Sequence, residues 1–299
     1  MASFLETLRS GRVLLMDGAM GTELQRAGIQ EGECYELWNL THPDKVRAIH
    51  RAYVDAGADV LLTNTFQANP IALGKHGLGD RIELIISQAI TLARSVATPG
   101  RFVLVSFGPF TLQRVRKAAL EVVARMLVAA READGWLFET SSDAVNLHAA
   151  MKCCARRWVP EIRPFLISWT YMRTPAGTIQ TINRRTPFLL ARRENRLPLG
   201  VNCGRDISMN EIIPIIRRYR QATDLPLFAR PNAGTPARVG DCWVYPLTPE
   251  MMAARLPELL EAGVSMVGGC CGTTPEHIAA MRPIIDAWNA KRQVRETSP

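Results

Sequence analysis

The chain has 299 residues, 47% of them hydrophobic, with a formal net charge of +8. That apolar content in that length can bury a large core and leaves little room for long disordered tails. The positive charge sits in the arginine clusters CARRWVPEIR, LLARRENR and PIIRRYRQ, which lie in or beside helical patterns without stacking aromatics. This reads as solvated helix face, so no nucleic-acid partner is expected.

In chain order, eight short apolar runs recur: RVLLMDGA, DVLLTNTF, FVLVSFGP, DGWLFETS, PFLISWTY, PLGVNCG, LPLFARPNAG and VSMVGGCCG. Helical patterns lie between them, among them PDKVRAIHRAYVDAGA, RIELIISQAITLARSV, AALEVVARMLVAAREA, NEIIPIIRRYRQA and TPEMMAARLPELLEAG, with apolar residues near i, i+3, i+4 and i+7. Near-continuous apolar strands alternating with helices indicate parallel strands covered by helices. Eight such units predict a single (β/α)8 TIM barrel, with an open doubly wound sheet as the alternative. The weakest unit follows the fifth run, where MRTPAGTIQTINRRTP, the 171–187 region, reads as an insertion over the barrel mouth before a poor helix at 187–196. No Gly-, Ser- or Pro-rich linker divides the chain, so one domain over 1–299 is expected. No run of about 18 apolar residues occurs, and the start MASFLETLRSGR lacks the features of a secretory signal. A cytoplasmic protein without membrane contact follows.

Barrel enzymes build their sites at the carboxyl ends of the strands. Those ends here carry Asp17, Asn64, Glu139, Cys203, Asn232, Cys270 and Cys271. Seven cysteines, unevenly spaced in a chain this long, do not suggest a disulfide framework. The sixth and eighth strands are close in a closed barrel, so Cys203 can converge with the adjacent pair Cys270 and Cys271. Consecutive residues of a regular strand point to opposite faces, so one ion reaches both thiols only if the extended backbone breaks. Gly268, Gly269 and Gly272 permit that break. Taken alone the pair also reads as two small buried residues or a vicinal disulfide; with the third cysteine the reading becomes a metal site, and three thiolates with one open position suit zinc.

The segments LLMDGAMGTEL, LTNTFQAN, FET, GVNCG, PNAGTP and GGCCGTTPEHI occur in the order and spacing of the homocysteine S-methyltransferase family, which the chain resembles from about residue 4 to 289. The resemblance implies zinc (Zn2+) held by Cys203, Cys270 and Cys271, with the thiol of homocysteine entering as the next ligand and being methylated to methionine. It also implies that Glu139, helped by Asp17, accepts hydrogen bonds from the substrate ammonium. The turn Gly18, Ala19, Met20, Gly21 and Thr22 would receive its carboxylate through backbone N–H groups. Asn232 has two readings, lining the metal pocket or shaping the PNAG turn.

Cys153 and Cys154 fall in a helical stretch and read as core residues, while Cys34 and Cys242 read as plain loop residues near the mouth. His277 reads as packing or solvated, behind a Thr274 cap. No folate or cobalamin segment is recognisable, so the methyl group is expected from a small-molecule donor, such as a sulfonium or betaine-like onium compound, or from a methyl-corrinoid protein in trans. Two further readings stand beside this one: a non-catalytic or regulatory zinc-binding barrel, and a methyltransferase acting on a different thiol or a selenol.

Overall fold

The computed structural model describes residues 2–110, 117–142, 145–181, 197–204, 206–240 and 242–297. Its strands are β1 (Leu14–Leu15), β2 (Val60–Leu62), β3 (Phe102–Phe107), β4 (Gly135–Ser141), β5 (Phe165–Trp169), β6 (Met172–Arg173), β7 (Ile179–Gln180), β8 (Leu199–Asn202), β9 (Leu227–Arg230), β10 (Ala237–Val239), β11 (Cys242–Val244) and β12 (Val264–Val267). Eight of them form one sheet in the order β1-β12-β9-β8-β5-β4-β3-β2, with parallel pairing at every step. The two outer strands meet through a parallel bridge between Met16 and Val60. Backbone bonds from Asp59 N–H to Leu15 O (2.7 Å) and from Asp17 N–H to Val60 O (2.9 Å) complete the seam. The sheet is therefore a (β/α)8 barrel, and the open alternative does not hold.

Helices follow the strands where the periodicity predicts them: Pro43–Asp55, Ile82–Arg94, Lys117–Ala129, Val145–Ala155, Met209–Ala222, Pro249–Glu261 and Pro275–Thr297. Local chemistry sets several of their starts. Ser208 caps Met209–Ala222 in a capping box with Glu211, and Thr248 caps Pro249–Glu261, whose first residue is a proline.

Alternate residues of each strand divide into two cores. Leu14, Met16, Val60, Leu62, Phe102, Leu104, Leu137, Leu166, Phe228 and Met266 fill the barrel interior. Their neighbours, such as Leu15, Leu61, Val105, Trp136, Ile167 and Ala229, pack outward against the helices. The short helix Phe4–Arg9 closes the amino end, with Phe4 set edge-on to Phe102 at 5.3 Å between ring centroids.

Two antiparallel hairpins interrupt the repeat. The expected insertion after the fifth run begins with β6 and β7, so its first part is regular where an irregular segment was expected. The remainder, including the poor helix expected at 187–196, lies outside the described residues except for the 181 position. The second hairpin, β10 with β11, follows the PNAG turn and was not anticipated. Cys242 accordingly lies on a strand of this hairpin. Among the described residues no helix is long and apolar enough to cross a membrane.

One buried group gives the fold a pH dependence. His50 on Pro43–Asp55 is fully buried, neither ring nitrogen has a hydrogen-bond partner, and burial pushes its imidazole down to about 4 from an ordinary 6.5. The unfolded chain takes up this proton near pH 6.5 and the folded chain resists until about 4, so the contribution is complete above 6.5 and is lost as pH falls toward 4. At pH 5 the loss amounts to about 2 kcal/mol. Urea unfolding of wild type and His50→Leu at pH 7.5 and 5 should show the variant losing less stability by roughly that amount. Equal losses in both proteins would place the titration elsewhere.

Candidate active site

Inside the barrel, the strand alternation that buries apolar layers ends at the carboxyl side in a polar one. Ser106, Glu139, Ser168, Asn202 and Arg230 each stand two residues beyond an inward position of β3, β4, β5, β8 and β9, and all are buried. They bond to one another. Ser106 donates its hydroxyl to Glu139 Oε1. Asn202 Nδ2 donates to Glu139 Oε2 at 3.1 Å, and Asn202 Oδ1 accepts from Ser168 Oγ at 2.6 Å and Thr140 N–H at 2.8 Å. Arg230 Nη1 donates to Glu139 Oε2 at 3.0 Å. Its Nη2 lies 3.4 Å from Asp17 Oδ1 and 3.1 Å from Gly18 O. Asp17 Oδ2 accepts the N–H of Leu62 at 2.7 Å.

Burial raises both carboxyls, Asp17 to about 7, although Arg230 pulls against it. Burial also works against the Arg230 charge, yet Glu139 and Asp17 outweigh it and hold the guanidinium more firmly protonated. One cation between two carboxylates cannot neutralise both. The trio therefore keeps a demand for positive charge.

The three thiols stand above this layer. Their sulfurs lie within 4.8 Å of one another, and those of Cys203 and Cys271 are 3.8 Å apart. Cys203 follows β8 directly, whereas Cys270 and Cys271 follow β12, with β9 between the two strands. Asn232, two residues past β9, joins the loops: its Oδ1 accepts Cys271 N–H at 3.1 Å and its Nδ2 donates to Gly204 O at 3.3 Å. Backbone breaks aim the thiols. Cys203 has φ +56°, a left-handed conformation uncommon for a side-chain-bearing residue. Gly272 has φ +78°, and a Cβ there would lie 2.1 Å from the Tyr245 ring that packs over it. Hydrogen bonds from Cys270 and Cys271 pull the Cys203 thiol well below its ordinary value. The donors are pushed up in turn, since a thiol that donates to a neighbouring thiolate resists ionising.

A cavity of about 540 Å³ opens onto these groups, lined by the three cysteines, Glu139, Arg230 and the 18–22 turn. Asp17 does not line it directly but lies behind the turn, bonded to Arg230. Within the turn, Ala19 N–H is already turned to Thr273, 3.1 Å from its Oγ1. A Cβ at Gly18 would sit 2.8 Å from that same Oγ1, so this glycine serves the packing of the turn against Thr273. The helix Met20–Arg26 then begins with no side-chain cap, leaving first-turn N–H groups of Met20, Gly21 and Thr22 without helical partners. The buried Thr22 hydroxyl also has no partner. Asn64, on the same wall, spends its side-chain amide on Tyr35 O at 2.7 Å and holds loop against loop.

The other singled-out residues lie apart from the thiol cluster. Cys153 and Cys154 are buried on Val145–Ala155, as expected of core residues. Cys34 is buried in the wall of the cavity, its thiol 3.7 Å from Glu36. His277 is packed: Nδ1 accepts Thr274 N–H at 3.1 Å, which fixes Nε2 as the donor to Leu247 O at 2.9 Å. Sequence reasoning missed Arg230, Asn202, Ser106 and Ser168. The signal for Arg230 was present, since a charged residue ends the apolar run LFAR at the end of the barrel where sites are built.

Fold and site together define a (β/α)8 barrel with a three-thiol centre and a cavity holding buried charged groups at its carboxyl end. The chain belongs to the homocysteine S-methyltransferase family, whose sequence profile matches residues 14–285. It is 35% identical over 313 aligned positions to a methionine synthase of Mycobacterium leprae, covering 95% of this chain and 25% of that protein. For a methionine synthase of Mycobacterium tuberculosis the identity is 34%, covering 97% of this chain and 26% of that one. The chain thus spans about a quarter of the length of these relatives. Among solved structures, the homocysteine methyltransferase MmuM from Escherichia coli in its metallated form superposes with a TM-score of 0.71 at 25% identity, covering 93% of this chain and 99% of that one.

The thiol spacing makes the centre sensitive to oxidation. Mild oxidant applied with a chelator should join Cys203 to Cys271, the pair 3.8 Å apart, and leave Cys153 and Cys154 reduced. Peptide mapping after alkylation reads this out. A first product linking Cys153 or Cys154 would contradict the assignment of the reactive cluster.

Proposed function

We propose that the chain transfers a methyl group to the thiol of homocysteine, giving methionine, at a zinc ion held by Cys203, Cys270 and Cys271. The observation that carries this reading is the convergence of three sulfurs within 4.8 Å at a cavity whose floor holds a buried carboxylate, Glu139. The donor set fits zinc. Tetrahedral bonds of about 2.3 Å give sulfur–sulfur edges of about 3.8 Å, and Cys203 and Cys271 stand at 3.8 Å. The chain is taken as one homocysteine-binding barrel domain over 1–299, its core at about 4–289.

Zinc bound there would lower the pKa of an incoming thiol, so that a thiolate exists at neutral pH without a strong general base. The residues of the chain do the rest. Glu139, with Asp17 behind it, receives the substrate ammonium, in keeping with the demand for positive charge in this layer. The carboxylate meets the first-turn N–H groups of Met20, Gly21 and Thr22 and the unpartnered Thr22 hydroxyl. Asn232 holds the Cys203 and Cys271 loops in register through its two bonds. In the transfer, the substrate sulfur forms a bond to the methyl carbon as the donor–methyl bond breaks. The electron pair leaves with the donor and the thiol proton passes to solvent. The donor is a small onium compound or a methyl-corrinoid, and a donor panel with homocysteine separates the two.

Two measurements test this reading. The reduced protein should bind about one zinc per chain, and Cys203→Ser, Cys270→Ser and Cys271→Ser should each lose it while Cys153→Ser retains it. Full occupancy in all three site variants would remove the triad. Glu139→Ala should keep zinc and lose homocysteine affinity by an amount on the order of 2 to 5 kcal/mol, the usual effect of unpairing a buried charge. Thiols without an amino group should change little. Equal weakening toward every thiol would assign Glu139 to the fold instead.

A further inference from the structure

Among the charged residues that line the cavity, Arg230 is the one that contacts both carboxyls assigned to the substrate ammonium, and homocysteine binding gives it no role of its own. Its guanidinium is 4% exposed, yet it lines the cavity, and its Nε is buried with no hydrogen-bond partner. It lies between the two carboxylates assigned to the substrate ammonium, 3.0 Å from Glu139 Oε2 and 3.4 Å from Asp17 Oδ1.

The acceptors around it are partly filled. Asp17 Oδ2 takes Leu62 N–H at 2.7 Å, and Glu139 Oε1 takes the Ser106 hydroxyl. Glu139 Oε2 takes both Arg230 and Asn202. Only Asp17 Oδ1 is loosely held, by the long 3.4 Å contact to Arg230. An ammonium brings three donors and no acceptor. Entering here, it shares the two carboxyls with a like charge that already takes one oxygen of each.

We propose that Arg230 sets the amino-end specificity of this pocket by competing with the substrate's ammonium for Asp17 and Glu139. The inference rests on the reading of the pocket as a homocysteine site. Two carboxyls still attract an ammonium, but the guanidinium already occupies one oxygen of each and repels a second cation. Discrimination between homocysteine and its desamino analogue, γ-mercaptobutyrate, is therefore shallower than the two carboxyls would give without the guanidinium. Removing the guanidinium deepens it.

The test is calorimetric titration of zinc-loaded protein with these two thiols, comparing wild type, Arg230→Gln and Arg230→Lys. The affinity ratio favouring homocysteine is expected to rise by about tenfold or more in Arg230→Gln, with γ-mercaptobutyrate itself changing by less than about threefold. Arg230→Lys keeps one cation and should stay within about threefold of the wild-type ratio. A ratio that is unchanged or lower in Arg230→Gln overturns the inference, because the guanidinium would then be positioning the carboxylates for the ammonium. Should Arg230→Gln fail to fold, Arg230→Met decides by the same ratio: a rise of about tenfold supports the inference and an unchanged or lower ratio overturns it. If neither thiol binds wild type, the homocysteine reading falls, and this inference falls with it.

Discussion

The alternation of side chains along parallel strands is the constraint on which the rest of this molecule depends. Each strand of the barrel sends every second residue inward, so the interior is a stack of layers. The lower layers are apolar and make the barrel stable. The last layer at the carboxyl end is Ser106, Glu139, Ser168, Asn202 and Arg230, and it is nearly a closed hydrogen-bond network. A polar layer this deeply buried is tolerable only because its members satisfy one another. Asp17, beside this layer, adds a second carboxyl that the one guanidinium holds only by a long contact of 3.4 Å.

The thiols obey a different rule, being placed where regular backbone stops. Cys203 adopts a left-handed conformation at the end of β8, and Gly272 does so just after the adjacent pair. Tyr245, carried in by the chain after the unexpected hairpin, packs over Gly272 and leaves no room for a Cβ. Asn232 bonds both loops. The result is a rigid set of sulfurs facing a cavity whose opposite wall is the helix start at Met20.

Much of this was legible in the residues, and the parts that were not have a common cause. The eight apolar runs and the helices between them identify the barrel, since buried parallel strands read as continuous apolar stretches. The same continuity hides which residues face inward, because Trp136 and Leu137, pointing opposite ways, are equally apolar and equally buried. Ser106, Ser168 and Asn202 therefore looked like ordinary strand residues until the inward layer was assembled. The cysteines were conspicuous through their glycine neighbours and adjacency, whereas Arg230 passed unnoticed beside the PNAG motif. The hairpin of β10 and β11 has a signal in the sequence, a Gly-Asp pair at 240–241 between the partners Val239 and Cys242, but its strands are only three residues long and read as loop.

The central claim is that the three thiols hold zinc and leave a position for the substrate sulfur. Zinc X-ray absorption on the loaded protein, with and without homocysteine, tests it most directly. Three sulfur ligands at about 2.3 Å with one lighter atom are expected in the free protein, becoming four sulfurs when homocysteine binds. A coordination shell that starts with fewer than three sulfurs, or that does not change on addition of saturating homocysteine, would contradict it.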